Sequence, residues 1–246
     1  MEIKKIVLTV LNRFGYTVKR CQKSGVPIDF CQEDNILVEK VRHYTMTDEE
    51  RIVALRRAVE YVVSRSIPGA FVECGVWKGG SSMVAALTFQ KTQDLRDLYL
   101  LDTYDLAIPA PLKEDRDTEG NTVLGAAKSS QPYWDAASVD EVKANLKKTK
   151  YPDEKLHFIR ALVSDSIPDQ TPDEICILRL DTDTYESTKH ELEYLYPALS
   201  PGGVLLLDDY GTHAGARKAV HEYFDEREDG PLITRLDTSG AIAVKK

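Results

Sequence analysis

Several protein classes are excluded by what the sequence lacks. Its four cysteines, Cys21, Cys31, Cys74 and Cys176, form no C-x-x-C pair. They read as reduced thiols, which places the chain in the cytoplasm. No apolar run is long enough to span a bilayer. The N-terminus has no apolar h-region with a small-residue cleavage site. Positive charge is scarce: 32 Lys and Arg stand against 40 Asp and Glu, for a net charge of −8. With no basic face, the protein's field would repel phosphate, so no nucleic-acid partner is expected. There is no internal repeat and no low-complexity tract. What the chain does have is 42% hydrophobic residues over 246 positions. That suits one α/β domain with an appendage rather than two full domains.

Unbroken apolar runs are the strongest pattern. Val204–Leu207 follows the turn Gly202-Gly203 and ends in Asp208-Asp209. Ile175–Leu180 ends in the same way, in Asp181-Thr182-Asp183. Such runs predict strands buried on both faces, as in a parallel sheet. Adjacent carboxylates at the end of a buried strand raise each other's pKa, and a bound cation would relieve that. Two such strands side by side would gather Asp181, Asp208 and Asp209 at one sheet edge. The plainer reading makes them strand-end turn residues.

Further strands are predicted at Phe71–Cys74, Leu98–Leu101, Leu156–Ile159, Leu232–Thr234 and Ala241–Val244. The last two form an antiparallel hairpin around Ser239-Gly240. Helices are predicted between the strands, including one after a Thr47–Glu50 capping box and one after a Ser138–Glu141 box. A third spans Glu186–Leu199, with Leu192, Tyr194, Leu195 and Leu199 inward, and a fourth spans 214–226. This alternation predicts a doubly wound, mostly parallel seven-stranded sheet closed by the hairpin. Residues 1–20 carry an apolar stripe of helical period (Ile3, Ile6, Val7, Val10, Leu11, Phe14). It suits docking on the core or on a second subunit, as in a homodimer or higher homo-oligomer, or contact with a membrane surface. Residues 105–137, with Pro109, Pro111, Gly120 and many charges, read as a lid-like insertion.

Between the first strand and its helix lies Glu73-x-Gly75-Val76-Trp77-Lys78-Gly79-Gly80-Ser81. Glycines let a ligand approach the backbone, and the helix N-terminus offers free N–H groups. The dinucleotide fingerprint needs glycine where Trp77 stands, so a pyrophosphate cofactor and an NAD oxidoreductase are disfavoured. No Gly-Lys-Ser/Thr follows, so this is not a Walker loop. S-adenosylmethionine fits better: its amino acid over the glycines, Glu73 near its ammonium, and Asp102 accepting the ribose hydroxyls. Asp165 is placed either near the adenine or as a loop cap before Pro168. Trp77 either lines the site or packs the turn.

These residues resemble the macrocin-type sugar O-methyltransferases. The likeness runs through Val72–Ser81, Leu180–Thr188, Leu207–Gly211, Gly215–Val220 and Thr45-Met46-Thr47, and covers roughly residues 40–246. It implies a Rossmann-like class I methyltransferase domain at 45–246, with residues 1–44 as an N-terminal helical extension. It also implies dependence on S-adenosylmethionine and Mg2+, and a glycosidic small-molecule acceptor. Asp181, Asp208 and Asp209 are then metal ligands. Met46, Glu73, Gly75, Trp77, Gly79, Ser81 and Asp102 surround the cofactor. The lysine base of the related catechol enzymes is replaced here by Thr184. Asp181, or else His213, four residues past Asp209, is left to take the proton. Two alternatives remain: an aromatic O-methyltransferase of the catechol or caffeoyl type, and a non-catalytic S-adenosylmethionine-binding protein.

Overall fold

Five apolar-rich runs become the parallel strands; Ala70–Cys74 and Ile175–Leu180 bury every side chain because both faces of the sheet are covered there, while Leu156–Arg160 at the sheet edge stays mostly half-buried. In a computed structural model describing residues 27–104, 112–122, 136–225, 227–228 and 230–246, the elements run in this order. They are α1 (Gln32–Val41), α2 (Glu49–Ser64), β1 (Ala70–Cys74), α3 (Gly80–Thr92), β2 (Leu98–Asp102), α4 (Val139–Lys147) and β3 (Leu156–Arg160). There follow α5 (Val163–Ser166), β4 (Ile175–Leu180), α6 (Tyr185–Ala198), β5 (Leu199–Leu207), α7 (Ala214–Asp225), β6 (Thr234–Arg235) and β7 (Ala241–Val244). The helical stripe at 1–20, and 105–111 and 123–135 of the insertion, lie outside the described residues.

The seven strands lie in the order β3-β2-β1-β4-β5-β7-β6. The first five are parallel, and β7 is antiparallel to both β5 and β6. The doubly wound expectation is therefore met, with a hairpin whose first arm is shorter than expected. The order reverses between β1 and β4, where open α/β sheets bind ligands at the carboxyl ends of their strands.

Two compact units divide the chain, 1–35 and 36–246. In the first, Phe30 N–H donates to Pro27 O, and Cys31 N–H donates to the Asp34 carboxylate. In the second, α6 and α7 cover one face of the sheet. There Val72, Cys74, Leu178, Leu180, Leu205 and Leu207 pack with Leu192, Leu195, Val220 and Phe224. Among the described residues no helix is long and apolar enough to cross a membrane. Cys74 and Cys176 are buried free thiols.

Three local expectations are corrected. The N-cap of α2 is Asp48, not Thr47, and it makes no side-chain capping bond. The Thr47 hydroxyl instead accepts from Arg179. On α6, Tyr194 is exposed, its ring tilted 44° against that of His190, while Tyr196 takes the inward position. The stretch after β3 contains a one-turn helix, α5. The Ser138 cap holds: its hydroxyl accepts from Glu141 N–H at 3.2 Å.

Candidate active site

Strand register decides which side chains meet. Glu73 pairs with Arg179, Cys74 with Leu180, and Leu180 with Leu207. The backbone ladder then runs past the strand ends: Gly75 N–H donates to Leu101 O, Asp181 N–H to Cys74 O, and Asp208 N–H to Leu180 O. Gly75, Asp181 and Asp208 thus form one row at the carboxyl edge, on the same face as Glu73 and Arg179, since side chains alternate along a strand. Gly75 sits at φ +85, and a Cβ there would overlap the carbonyl oxygen of Asp181. Glycine is required for both reasons.

Oxygens of Asp181, Asp208 and Asp209 all lie within 4.8 Å of one another. Arg179, which is 4% exposed, is the counterion beneath them. Its Nη1 lies 2.7 Å from Glu73 Oε1 and 2.8 Å from Asp181 Oδ2, and its Nη2 lies 2.5 Å from Asp208 Oδ1. Arg51 of α2 pairs with the other oxygen of Asp208 and with Asp237. The positive charge still falls short. Burial holds the Asp181 carboxyl well above its ordinary range; Arg179 opposes this, and the charges of Asp208 and Asp209 add to it. A hard dication suits this donor set of carboxylate oxygens and its unbalanced negative charge. The residues therefore fit the ion the resemblance implies.

Asp209 faces a second group. Its Oδ1 lies 3.1 Å from His213 Nδ1, and its Oδ2 accepts from Asp183 N–H at 3.0 Å. His213 Nε2 in turn lies 3.6 Å from Asp183 Oδ1. Burial would lower the pKa of His213, but its hydrogen bond and attraction to Asp209 outweigh that and raise it. Burial, and then the charges of Asp209 and Asp181, push the Asp183 carboxyl up. His213 thus lies in the cluster with Asp183 and Asp209. The sequence pattern marks Asp183 only as part of the strand-end run; the turn geometry is what brings it beside the imidazole.

The glycine loop is held from below by Asp102. Its Oδ2 accepts from Val76 and Trp77 N–H at 2.6 and 2.8 Å, and its Oδ1 from Tyr104 N–H at 2.8 Å. Asp102 therefore shapes the loop, leaving its remaining lone pairs for any ribose contact. Glu73 is 1% exposed; it is bound to Arg179 and takes a hydrogen bond from Ser82 Oγ. Burial, partly offset by Arg179, pushes its carboxyl up to about 7. Glu73 faces Arg179 beneath the loop. Ser81 is buried in the first turn of α3.

Gly79 adopts φ +87 against Leu146 of α4, and Asn145 donates to Lys78 O at 3.0 Å. Trp77, at φ 47, is half-buried in the loop. A Cβ on Gly80 would come within 2.6 Å of Tyr44 O. That contact brings the segment carrying Met46, which is 52% exposed, across the start of α3. Asp165 is exposed on α5 and accepts from Ser164 Oγ at 3.2 Å.

Known proteins are similar to this chain in sequence and fold. A family model described as Macrocin-O-methyltransferase (TylF) matches residues 33–245. The 8-demethyl-8-(2,3-dimethoxy-alpha-L-rhamnosyl)-tetracenomycin-C 4'-O-methyltransferase of Streptomyces olivaceus is 32% identical over 207 residues, spanning 81% of this chain and 74% of that protein. Mycinamicin III 3''-O-methyltransferase of Micromonospora griseorubida is 29% identical over 199 residues, 80% of this chain and 76% of that protein. The solved structure of the O-methyltransferase NovP superposes with a TM-score of 0.72 at 29% identity, covering 82% of each chain.

Proposed function

The chain belongs to the macrocin O-methyltransferase family, and from that premise we propose that it methylates a sugar hydroxyl on a small-molecule natural product, using S-adenosylmethionine and Mg2+. That it is an O-methyltransferase follows from the family itself. One observation carries the finer reading: three carboxylates converge within 4.8 Å at the sheet edge, Asp181 and Asp208 in the same row as the Gly75 turn. The relatives named above for rhamnosyl and 3''-hydroxyl methylation support a sugar acceptor.

Asp181, Asp208 and Asp209 would hold the cation, and the loop Gly75–Ser81 would hold the cofactor, with Met46 near its sulfonium. Bound together, the two supply a Lewis acid that lowers the hydroxyl's pKa and a sulfonium that donates the methyl group. The remaining work falls to the chain's own groups. Arg179 keeps the carboxylates together without neutralising all of them. The Asp102 carboxylate fixes the loop that orients the donor, so that donor and acceptor meet in line. The proton is assigned to the pair Asp183 and His213. Asp181 suits that task less well, because its Oδ2 is engaged by Arg179. His213 is aligned by Asp209, with Nε2 turned toward Asp183.

The test is methyl transfer from labelled S-adenosylmethionine to a panel of glycosides and catechols, with Mg2+ and with chelator. Glycosides are methylated, chelator abolishes the reaction, and Asp181→Asn and Asp209→Asn lose at least ~100-fold in kcat/KM. Asp183→Asn loses kcat while keeping cation affinity. Full activity in chelator, or in both Asp181→Asn and Asp209→Asn, would remove the cation from the scheme.

A further inference from the structure

Behind the carboxylate cluster lies an acid that the reaction scheme does not use. Glu191 of α6 is fully buried, at 0% exposure, beside Leu192 in the apolar layer between helix and sheet. Its two carboxyl oxygens lie 3.0 and 3.2 Å from Thr182 Oγ1, and the Cys74 thiol also bonds to it. A hydroxyl and a thiol are weak compensation for a carboxyl removed from water. An apolar side chain of similar size would suit this layer better on stability grounds alone, so the acid's partners point to its use.

Both partners belong to the site. Thr182 stands between Asp181 and Asp183, in a turn that carries Asp183 at φ 65. A non-glycine residue in that left-handed conformation is strained and persists only where its surroundings fix it. Cys74 is the last residue of β1; its carbonyl accepts from Asp181 N–H, and the cofactor loop begins one residue later. Glu191 therefore touches both sides of the switch point from behind.

We propose that Glu191 is a positioning residue for methyl transfer. By binding Thr182 it sets the turn that aims Asp181 and Asp183, and by binding Cys74 it ties that turn to the base of the cofactor loop. The inference rests on the reading of Asp181, Asp208 and Asp209 as cation ligands. Burial pushes the Glu191 carboxyl up to about 8, so the group is a neutral acid at pH 7, able to donate as well as accept. Glutamine is then its closest mimic, because an amide also offers one donor and one acceptor side.

The experiment compares wild type, Glu191→Gln, Glu191→Leu, Thr182→Val and the double variant Thr182→Val/Glu191→Leu in the full chain. Mn2+ binding is read by electron paramagnetic resonance, kcat and acceptor KM by methyl transfer, and folding by thermal melting. Glu191→Leu is expected to weaken Mn2+ binding about tenfold or more and to lower kcat, with acceptor KM within about twofold and no loss of melting temperature. Glu191→Gln stays within about threefold of wild type. The double variant is no worse than the poorer single, since the two residues act as one unit. If Glu191→Leu fails to fold, Thr182→Val carries the same expectation for Mn2+.

Wild-type Mn2+ affinity and turnover in Glu191→Leu would overturn the inference and make Glu191 a packing residue. So would equal damage in the Gln and Leu variants. A wild type that binds no Mn2+ overturns the cation reading itself, together with the inference resting on it.

Discussion

Arg179 Nη1 lies 2.7 Å from Glu73 Oε1, with the two side chains 4% and 1% exposed. The pair is set by strand register, and the same guanidinium reaches Asp181 and Asp208 one step toward the edge. Removing it takes the ion-pair partner from Glu73 and Asp181 and leaves Asp208 with Arg51 alone. Arg179→Met is expected to cost roughly 3–5 kcal/mol, the range for breaking a buried ion pair, as read by urea unfolding in chelator. Mg2+ should stabilise the variant more than the wild type, because a cation replaces part of the lost charge. An equal Mg2+ effect in both proteins would count against a shared carboxylate site.

Gly75 is the point where β1 meets the carboxylate row. Gly75→Ala must leave φ +85 or drive its Cβ into Asp181 O. Either way the glycine loop and Asp181 move together. The expected loss is about 2 kcal/mol or more in stability, with S-adenosylmethionine binding lost in calorimetry and cation binding weakened as well. Loss of cofactor binding alone would mean that the two sites are mechanically separate.

Much of this site was legible in the sequence because it lies at the ends of buried strands. The runs into Asp181 and Asp208-Asp209 mark both the strands and their edge. Arg179 was not legible as a centre. It sits inside an apolar run, and periodicity tells which face a residue occupies but not which neighbour it meets across the sheet. Thr47–Glu50 has the spacing of a capping box, yet the Thr47 hydroxyl is occupied by Arg179, and α2 begins later. On α6 the buried stripe is Thr188, Glu191, Leu192, Leu195 and Tyr196. Its spacing is regular, but a glutamate and a threonine break its apolar signature, and Tyr194 was placed inward instead.

That same glutamate predicts a pH dependence. Its folded pKa, about 8, lies above the ordinary 4.5 because of burial, partly offset by the Thr182 bond, with the charge of Asp209 adding and the Cys74 bond opposing. The folded state therefore holds the proton more tightly than the unfolded one. The stabilisation is complete below about pH 4.5 and is lost as pH rises toward 8. Relative to Glu191→Gln, wild type should lose stability across that window, by on the order of 5 kcal/mol at most. Glu73 titrates nearby but is common to both proteins and cancels. Parallel unfolding curves from pH 5 to pH 9 would show that Glu191 does not titrate in this window.

Asp115 ties the described part of the insertion to a helix start: it is a carboxylate 1% exposed whose bonds come from backbone. Its Oδ2 accepts from Leu112 N–H and its Oδ1 from Tyr185 N–H, each at 2.7 Å. Tyr185 opens α6, and the positive end of a helix favours a carboxylate there. Next to it, Ala214 N–H at the start of α7 donates to Arg116 O. The described stretch 112–122 of the insertion is thereby fastened to the two helix starts that flank Asp183 and His213. Asp115→Asn turns an acceptor into a donor that faces a donor, which should cost about 1–3 kcal/mol. The chemical groups stay in place, so acceptor KM rises several-fold while kcat changes little. Gly215→Ala tests the same contact from the other side, because its Cβ would collide with Asp115 Oδ1. The two substitutions should share their effect, and the double variant should fall well short of the sum of the singles. Additive losses in acceptor KM would show that Asp115 and Gly215 act separately, and that the stretch is held by something other than this carboxylate.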